Sequence, residues 1–247
     1  MSVRVDARRG AGAAGAALAL SMALAACGGE PPAKEPEGAR MPTPNRAAPP
    51  LPQVSQELGQ IDPALTDRAF ERVKPKLLAC QTQGQKRLDY LAGDAKFFAR
   101  IDATGKVRWI YLEESTLGDR DTERCVLDVL TGAPWPAPVG GEAEVQKGFG
   151  FDLHDAREPS AWGPEKAAVG AKALADAVKQ CRDGKSGPPF QVTVYVEPDG
   201  SHGKVASVGV AGPTKEAAAQ IDCVAAAARA MRFPSPGSYA AKVTFSL

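Results

Sequence analysis

Beyond residue 58 the apolar positions follow two alternating periods. Phe70, Val73, Leu77 and Cys80 recur at 3, 4, 3 intervals, one face of an amphipathic helix. Asp62 stands where an N-cap belongs and Pro63 at the first helical position, while Pro75 predicts a kink or restart inside the helix. A period of two follows: Phe97, Ala99 and Ile101 share one face, and after the turn Asp102-Ala103-Thr104-Gly105, Ile110 and Leu112 do the same, which reads as a hairpin. Asp119 caps a second helical segment carrying Val126, Val129 and Leu130, and a last alternating stretch holds Val145, Lys147, Phe149 and Phe151.

The same order then recurs. Gly105-Lys106-Val107 returns as Gly203-Lys204-Val205. From each of those valines to the next cysteine is 18 positions, and from that cysteine (Cys125, Cys223) to the proline of Trp135-Pro136-Ala137-Pro138 or Phe233-Pro234-Ser235-Pro236 is 11. In the second copy, a helix starting near Gly163-Pro164 carries Ala171, Leu174, Val178 and Cys181 at the 3, 4, 3 offsets. Val192, Val194 and Val196 pair through a turn with Val208 and Val210, Thr214 caps a helix through Ala217, Ile221, Val224, Ala228 and Met231, and Tyr239, Ala241, Val243, Phe245 and Leu247 alternate at the end. Each copy reads α-β-β-α-β. The expected fold class is α+β: two tandem domains, each a three-stranded antiparallel sheet with two helices on one face.

The first 58 residues have a different pattern. Arg4, Arg8 and Arg9 precede the apolar run Ala11–Ala26, the arrangement of a cleavable signal. Leu24-Ala25-Ala26-Cys27 resembles a bacterial lipobox. The resemblance implies cleavage before Cys27 and acylation of its thiol, with the lipid bilayer as first partner, and Gly28 in place of Asp after it favours the outer membrane over the inner. Residues 28–58 hold eight prolines and almost no large apolar side chain, a composition that stays disordered or extended and spans at most about 100 Å as a tether. The boundaries expected are therefore 1–26 signal, 27–58 lipidated cysteine and tether, 59–153 first domain, 154–163 linker and 164–247 second domain.

Charge and cysteine content narrow the function. With 30 basic and 29 acidic residues there is no excess charge to neutralise a phosphate backbone, and a nucleic-acid partner is not expected. Of five cysteines, Cys27 is assigned to lipid and the other four fall two per copy. In an oxidising compartment, the pairing that respects the repeat is Cys80 with Cys125 and Cys181 with Cys223. A metal site is the competing use of four cysteines, but no short Cys-x-x-Cys or His-rich spacing accompanies them.

The α-β-β-α-β order, the Gly-Lys-Val hairpin, the cysteine at the end of each helix and the aromatic-Pro before the closing strand resemble the C-terminal domain of the AgmX/PglI type, itself similar to the periplasmic domain of TonB. The resemblance spans about 63–152 and 165–247. It implies a non-enzymatic envelope module working through protein contacts, by pairing a sheet edge with a peptide strand. The cleavable lipobox, the cysteine pairs and the tandem copies depart from TonB, so energy transduction is not carried over.

Catalytic motifs are sparse. His154 and His202 are the only histidines: the first stands at a strand exit, the second in a hairpin turn, and neither has a nucleophile motif nearby. No cofactor is expected. Trp109 and Tyr111 fall on the strand face opposite Ile110 and Leu112, where the second copy has Ser207 and Gly209. They are the candidate binding pair, with packing between the domains as the equal alternative. The expected function is a lipid-anchored, non-catalytic binding or scaffolding module for an unidentified envelope protein. Its alternatives are an enzyme or accessory acting on envelope polymer, and a glycan- or small-molecule-binding lipoprotein.

Overall fold

A computed structural model describes residues 3–4, 58–153 and 155–247. Cys27, the tether except Leu58, His154 and all of the signal except residues 3–4 lie outside the described residues.

The first copy begins with α1 (Pro63–Gln85), whose start is set by Asp62: its carboxylate accepts hydrogen bonds from the amides of Ala64 and Leu65. The helix runs unbroken through Pro75. Pro75 is exposed, so the carbonyl its missing N–H leaves unpaired can be hydrated, and the expected restart is not needed. Strands β1 (Gly93–Ile101) and β2 (Val107–Ser115) form the hairpin, followed by α2 (Arg120–Thr131) and β3 (Ala143–Phe151). They make an antiparallel sheet in the order β3-β1-β2, and Val3–Arg4 pairs antiparallel with Gly150 and Phe151 at the β3 end. Phe70, Leu77, Phe97, Leu112, Leu130 and Phe149 fill the core between sheet and helices.

The second copy repeats this plan with additions. After β4 (Ser160–Trp162) and a short turn of 3-10 helix come α3 (Ala168–Cys181), β5 (Gln191–Asp199) and β6 (His202–Ala211). Then follow α4 (Lys215–Ala218), α5 (Ile221–Ala228), β7 (Phe233–Pro234) and β8 (Ala241–Ser246). The second sheet therefore has five strands, in the order β4-β8-β5-β6-β7, with β4 parallel to β8. This corrects the expectation of three: two short segments, one of them the Phe-Pro of the repeated motif, pair with strand edges left free by the central three. The helix expected through Met231 is broken at Ala219-Gln220, yet Met231 stays buried in the second core. Tyr239 lies before β8 and packs edge-on against Tyr90, their ring centroids 5.9 Å apart.

The repeat extends to fine detail. In the first hairpin Arg100 pairs with Trp109 and Ile101 with Val107, leaving Arg108 as the extra residue of a bulge. In the second, Tyr195 pairs with Ser207 and Val196 with Val205, leaving Ala206. Cys80–Cys125 and Cys181–Cys223 are disulfide-bonded, with Cα atoms 5.8 Å apart in both. Each joins the first helix of its copy to the second.

Candidate functional site

The two copies share one compact unit and are not related face to face. The outer face of the second sheet, away from its own helices, is covered by the β2–α2 corner of the first copy. Small residues make this possible. A Cβ on Gly209 would fall 2.4 Å from a Glu123 carboxylate oxygen and 2.7 Å from the Gly118 amide nitrogen. Gly118 itself, at φ +71°, takes a conformation that disfavours a side chain and has Tyr195 and Thr193 against it.

A polar network runs along this seam. Gln191 accepts from the Ser115 amide at 2.7 Å, Thr193 donates to the Ser115 carbonyl at 3.2 Å, and the Gly212 amide donates to the Leu112 carbonyl at 3.1 Å. Asp119 caps α2 through the Thr122 amide while accepting from Ser207 at 2.7 Å and from Arg87. Burial pushes its carboxyl up, but hydrogen bonds from Thr122, Ser207 and Arg87 outweigh that and hold it below the usual range. Arg120 and Arg124 both reach Asp222 of α5, whose carboxyl the same two arginines keep low against the opposing effect of burial.

Farther along, Tyr195 donates to the Ala92 carbonyl at 2.9 Å, Tyr90 to Glu197 at 2.6 Å, and Lys242 to the Ala92 carbonyl at 2.6 Å. Here the copies leave a cleft of about 560 Å³ lined by Tyr90, Asp94, Phe151, Trp162, Tyr195 and Lys242. Burial pushes the Lys242 ammonium down to about 8, with Asp94 opposing. Its bond to a backbone carbonyl and its position 5.2 Å from the Tyr195 ring centre make it a clamp between the copies.

The candidate aromatic pair lies on the outer face of the first sheet. Trp109, Tyr111 and the neighbouring Phe98 stack with ring planes within 8° and centroids 5.3 to 6.0 Å apart. Tyr111 is only 7% exposed, and burial, followed by the charges of Glu113, Glu144 and Glu216, raises its phenol. Trp109 and Phe98 are half-buried, with Lys215 of α4 5.8 Å from the Trp109 ring centre. The pair is thus divided: Tyr111 belongs to packing and Trp109 retains accessible surface. His202 is exposed in the second hairpin, its Nδ1 2.8 Å from the Ser201 hydroxyl.

Among the described residues, β3 has an edge open over most of its length. Its inner side pairs along its whole length with β1. On the other side, among the described residues, only Gly150 and Phe151 meet a strand, while Glu144 and Gln146 are exposed. Among the described residues no group of His, Cys, Asp and Glu is placed to hold a metal ion, and no helix is long and apolar enough to cross a membrane.

Three of these residues escaped the sequence reading, two of them although a signal existed. Glu123 stands three positions before Val126 on the buried face of α2, so the helical period already placed a carboxylate among apolar neighbours. Phe98 shares its parity with the outward face of β1. Lys242 carried no such signal, because a lysine at an outward position of an alternating strand reads as an ordinary surface residue. No protein family, curated protein or solved structure matches the chain.

Proposed function

We propose that this chain is a lipid-anchored envelope protein whose two TonB-C-like units form one non-catalytic docking body for another envelope protein. The observation that carries this reading is the open edge of β3, a row of backbone donors and acceptors able to accept an antiparallel strand. Trp109 and Phe98 add apolar surface on the face of the same sheet. Acylated Cys27 would hold the body at the bilayer, and residues 28–58 would set its reach. The hydrogen bonds across the seam support treating both copies as one rigid platform.

The decisive experiment places a photo-crosslinking residue at Gln146, on the open edge, or at exposed Lys185, in intact cells. A discrete crosslinked partner at position 146 and none at 185 supports strand docking. Equal crosslinking, or none at both, removes the edge from consideration. The Lys242 cleft favours a second reading, a small-molecule or glycan site, and saturable binding abolished by Lys242→Met with crosslinking at 146 unchanged would select it.

A further inference from the structure

Glu123 is 0% exposed and sits where the copies meet. One carboxylate oxygen accepts from the Ser115 hydroxyl at 2.7 Å, the other from the Val210 amide of the second copy at 3.0 Å. Among the described residues, those two donors are the ones within hydrogen-bond distance of it. Arg120, the nearest cation, stands 3.8 Å away and turns its Nε to Asp222, leaving a buried Nη1 without a hydrogen-bond partner. From α2 and its cap the charged groups facing Glu123 are thus Arg120 and Asp119. From α5 there is Asp222, which reaches it only through Arg120. Arg87, beyond α1, is engaged by Asp119. From β6 come only the Val210 amide and the Gly209 backbone. In the second copy the position two residues before the cysteine, that of Glu123, is Ile221, a core residue. The carboxyl is therefore not demanded by the repeat.

We propose that Glu123 makes the seam a proton-operated latch, holding the two copies together while its carboxyl is neutral and loosening them when it ionises. In the neutral state the carboxyl O–H donates to the Ser115 oxygen and the other oxygen keeps the Val210 bond. On loss of the proton both oxygens accept, but the charge is left with two neutral donors and, 3.8 Å away, a guanidinium whose Nε is committed to Asp222, in a site closed to water. Parting the copies at Val210 admits water to that charge. The inference stands on this geometry and does not depend on the proposed partner.

Burial pushes the Glu123 carboxyl from 4.5 up to about 7. A carboxyl raised in the closed state favours closure below pH 4.5, and that contribution is lost as pH rises to about 7. The neighbours titrate elsewhere. Asp119 and Asp222 are held below 3.8, and Lys242 changes charge between about 8 and 10.5.

The test is hydrogen exchange read at the Val210 and Gly212 amides, corrected for intrinsic rate, with Phe97 and Val194 as core references, in the full chain. Between pH 5 and 7.5, seam protection should fall on the order of fifty-fold while core protection changes far less, and Glu123→Gln should abolish the dependence. Seam protection flat with pH, an equal loss in the core, or the same dependence in Glu123→Gln would overturn the latch. Should Glu123→Gln fail to fold, carbon NMR of the wild-type carboxyl decides: a midpoint near 7 supports the proposal and one below 5 ends it.

Discussion

Gly209 of the second copy approaches Gly118 of the first so closely that a Cβ on Gly209 would stand 2.7 Å from the Gly118 amide nitrogen. The equivalent position in the first copy is Tyr111. One repeat position thus carries a large aromatic where its sheet face is partly covered by α4 of the second copy, and no side chain where its sheet face meets the β2–α2 corner of the first.

Gly209→Val should accordingly lower stability by about 1 to 3 kcal/mol through overpacking of the seam. Gly132→Ala serves as control: a Cβ there meets nothing nearer than 3.6 Å, and the change should stay within about 0.5 kcal/mol. Urea unfolding of both variants checks this, and an unchanged midpoint for Gly209→Val would mean that the copies do not pack as described.

Removing either disulfide as a Cys→Ser pair should cost on the order of 4 kcal/mol in the chain-entropy account, since the bridges close separations of 45 and 42 residues. Denaturant unfolding measures the loss. Non-reducing peptide mapping should recover Cys80 linked to Cys125 and Cys181 to Cys223, and a peptide crossing the copies contradicts the pairing.

Tyr111→Ala and Trp109→Ala should separate packing from surface. Tyr111 is buried, so its truncation should destabilise by about 3 to 5 kcal/mol. Half-buried Trp109 should cost less and instead weaken partner crosslinking at position 146. Thermal melts with the crosslinking assay give both readouts; equal melting temperatures for the two variants would be the wrong result.

Lys242 predicts a pH dependence of its own. Its ammonium is held down to about 8 in the folded chain against 10.5 when free, so folding favours the neutral amine. Stability from this group is present above pH 10.5 and is lost as pH falls to about 8. Wild type minus Lys242→Met stability should therefore rise from pH 8 to 10, by chemical denaturation; a flat difference refutes it.

Cys27→Ser should shift the protein from the membrane fraction to the soluble envelope, or leave its signal uncut. Cell fractionation tests the anchor, and a processed Cys27→Ser protein still sedimenting with membranes would exclude the lipid as the sole attachment.

Local periodicity made most of each copy legible before any coordinates. The 3, 4, 3 spacing of Phe70, Val73, Leu77 and Cys80 marks a buried helix face, the alternation of Val192, Val194 and Val196 marks a strand, and matched intervals to Cys125 and Cys223 determine the pairing of cysteines. The first two follow from dihedral periods and hydrophobic burial, which act over a few residues, and the third from the repeat, which supplied each element twice. What the second sheet recruits at its edges, β4 and β7, was not legible, because three- and two-residue strands carry no period and form only where an edge is already in place. Nor could sequence divide Trp109 from Tyr111 or give Lys242 a role. Their burial depends on how one copy docks on the other, and that arrangement rests on contacts between residues some 80 to 150 positions apart, such as Ser207 with Asp119 and Lys242 with Ala92. No local pattern encodes such contacts. Glu123 lies between the two cases: the helical period put its carboxylate inside, and only the tertiary structure showed that what closes over it is the other copy.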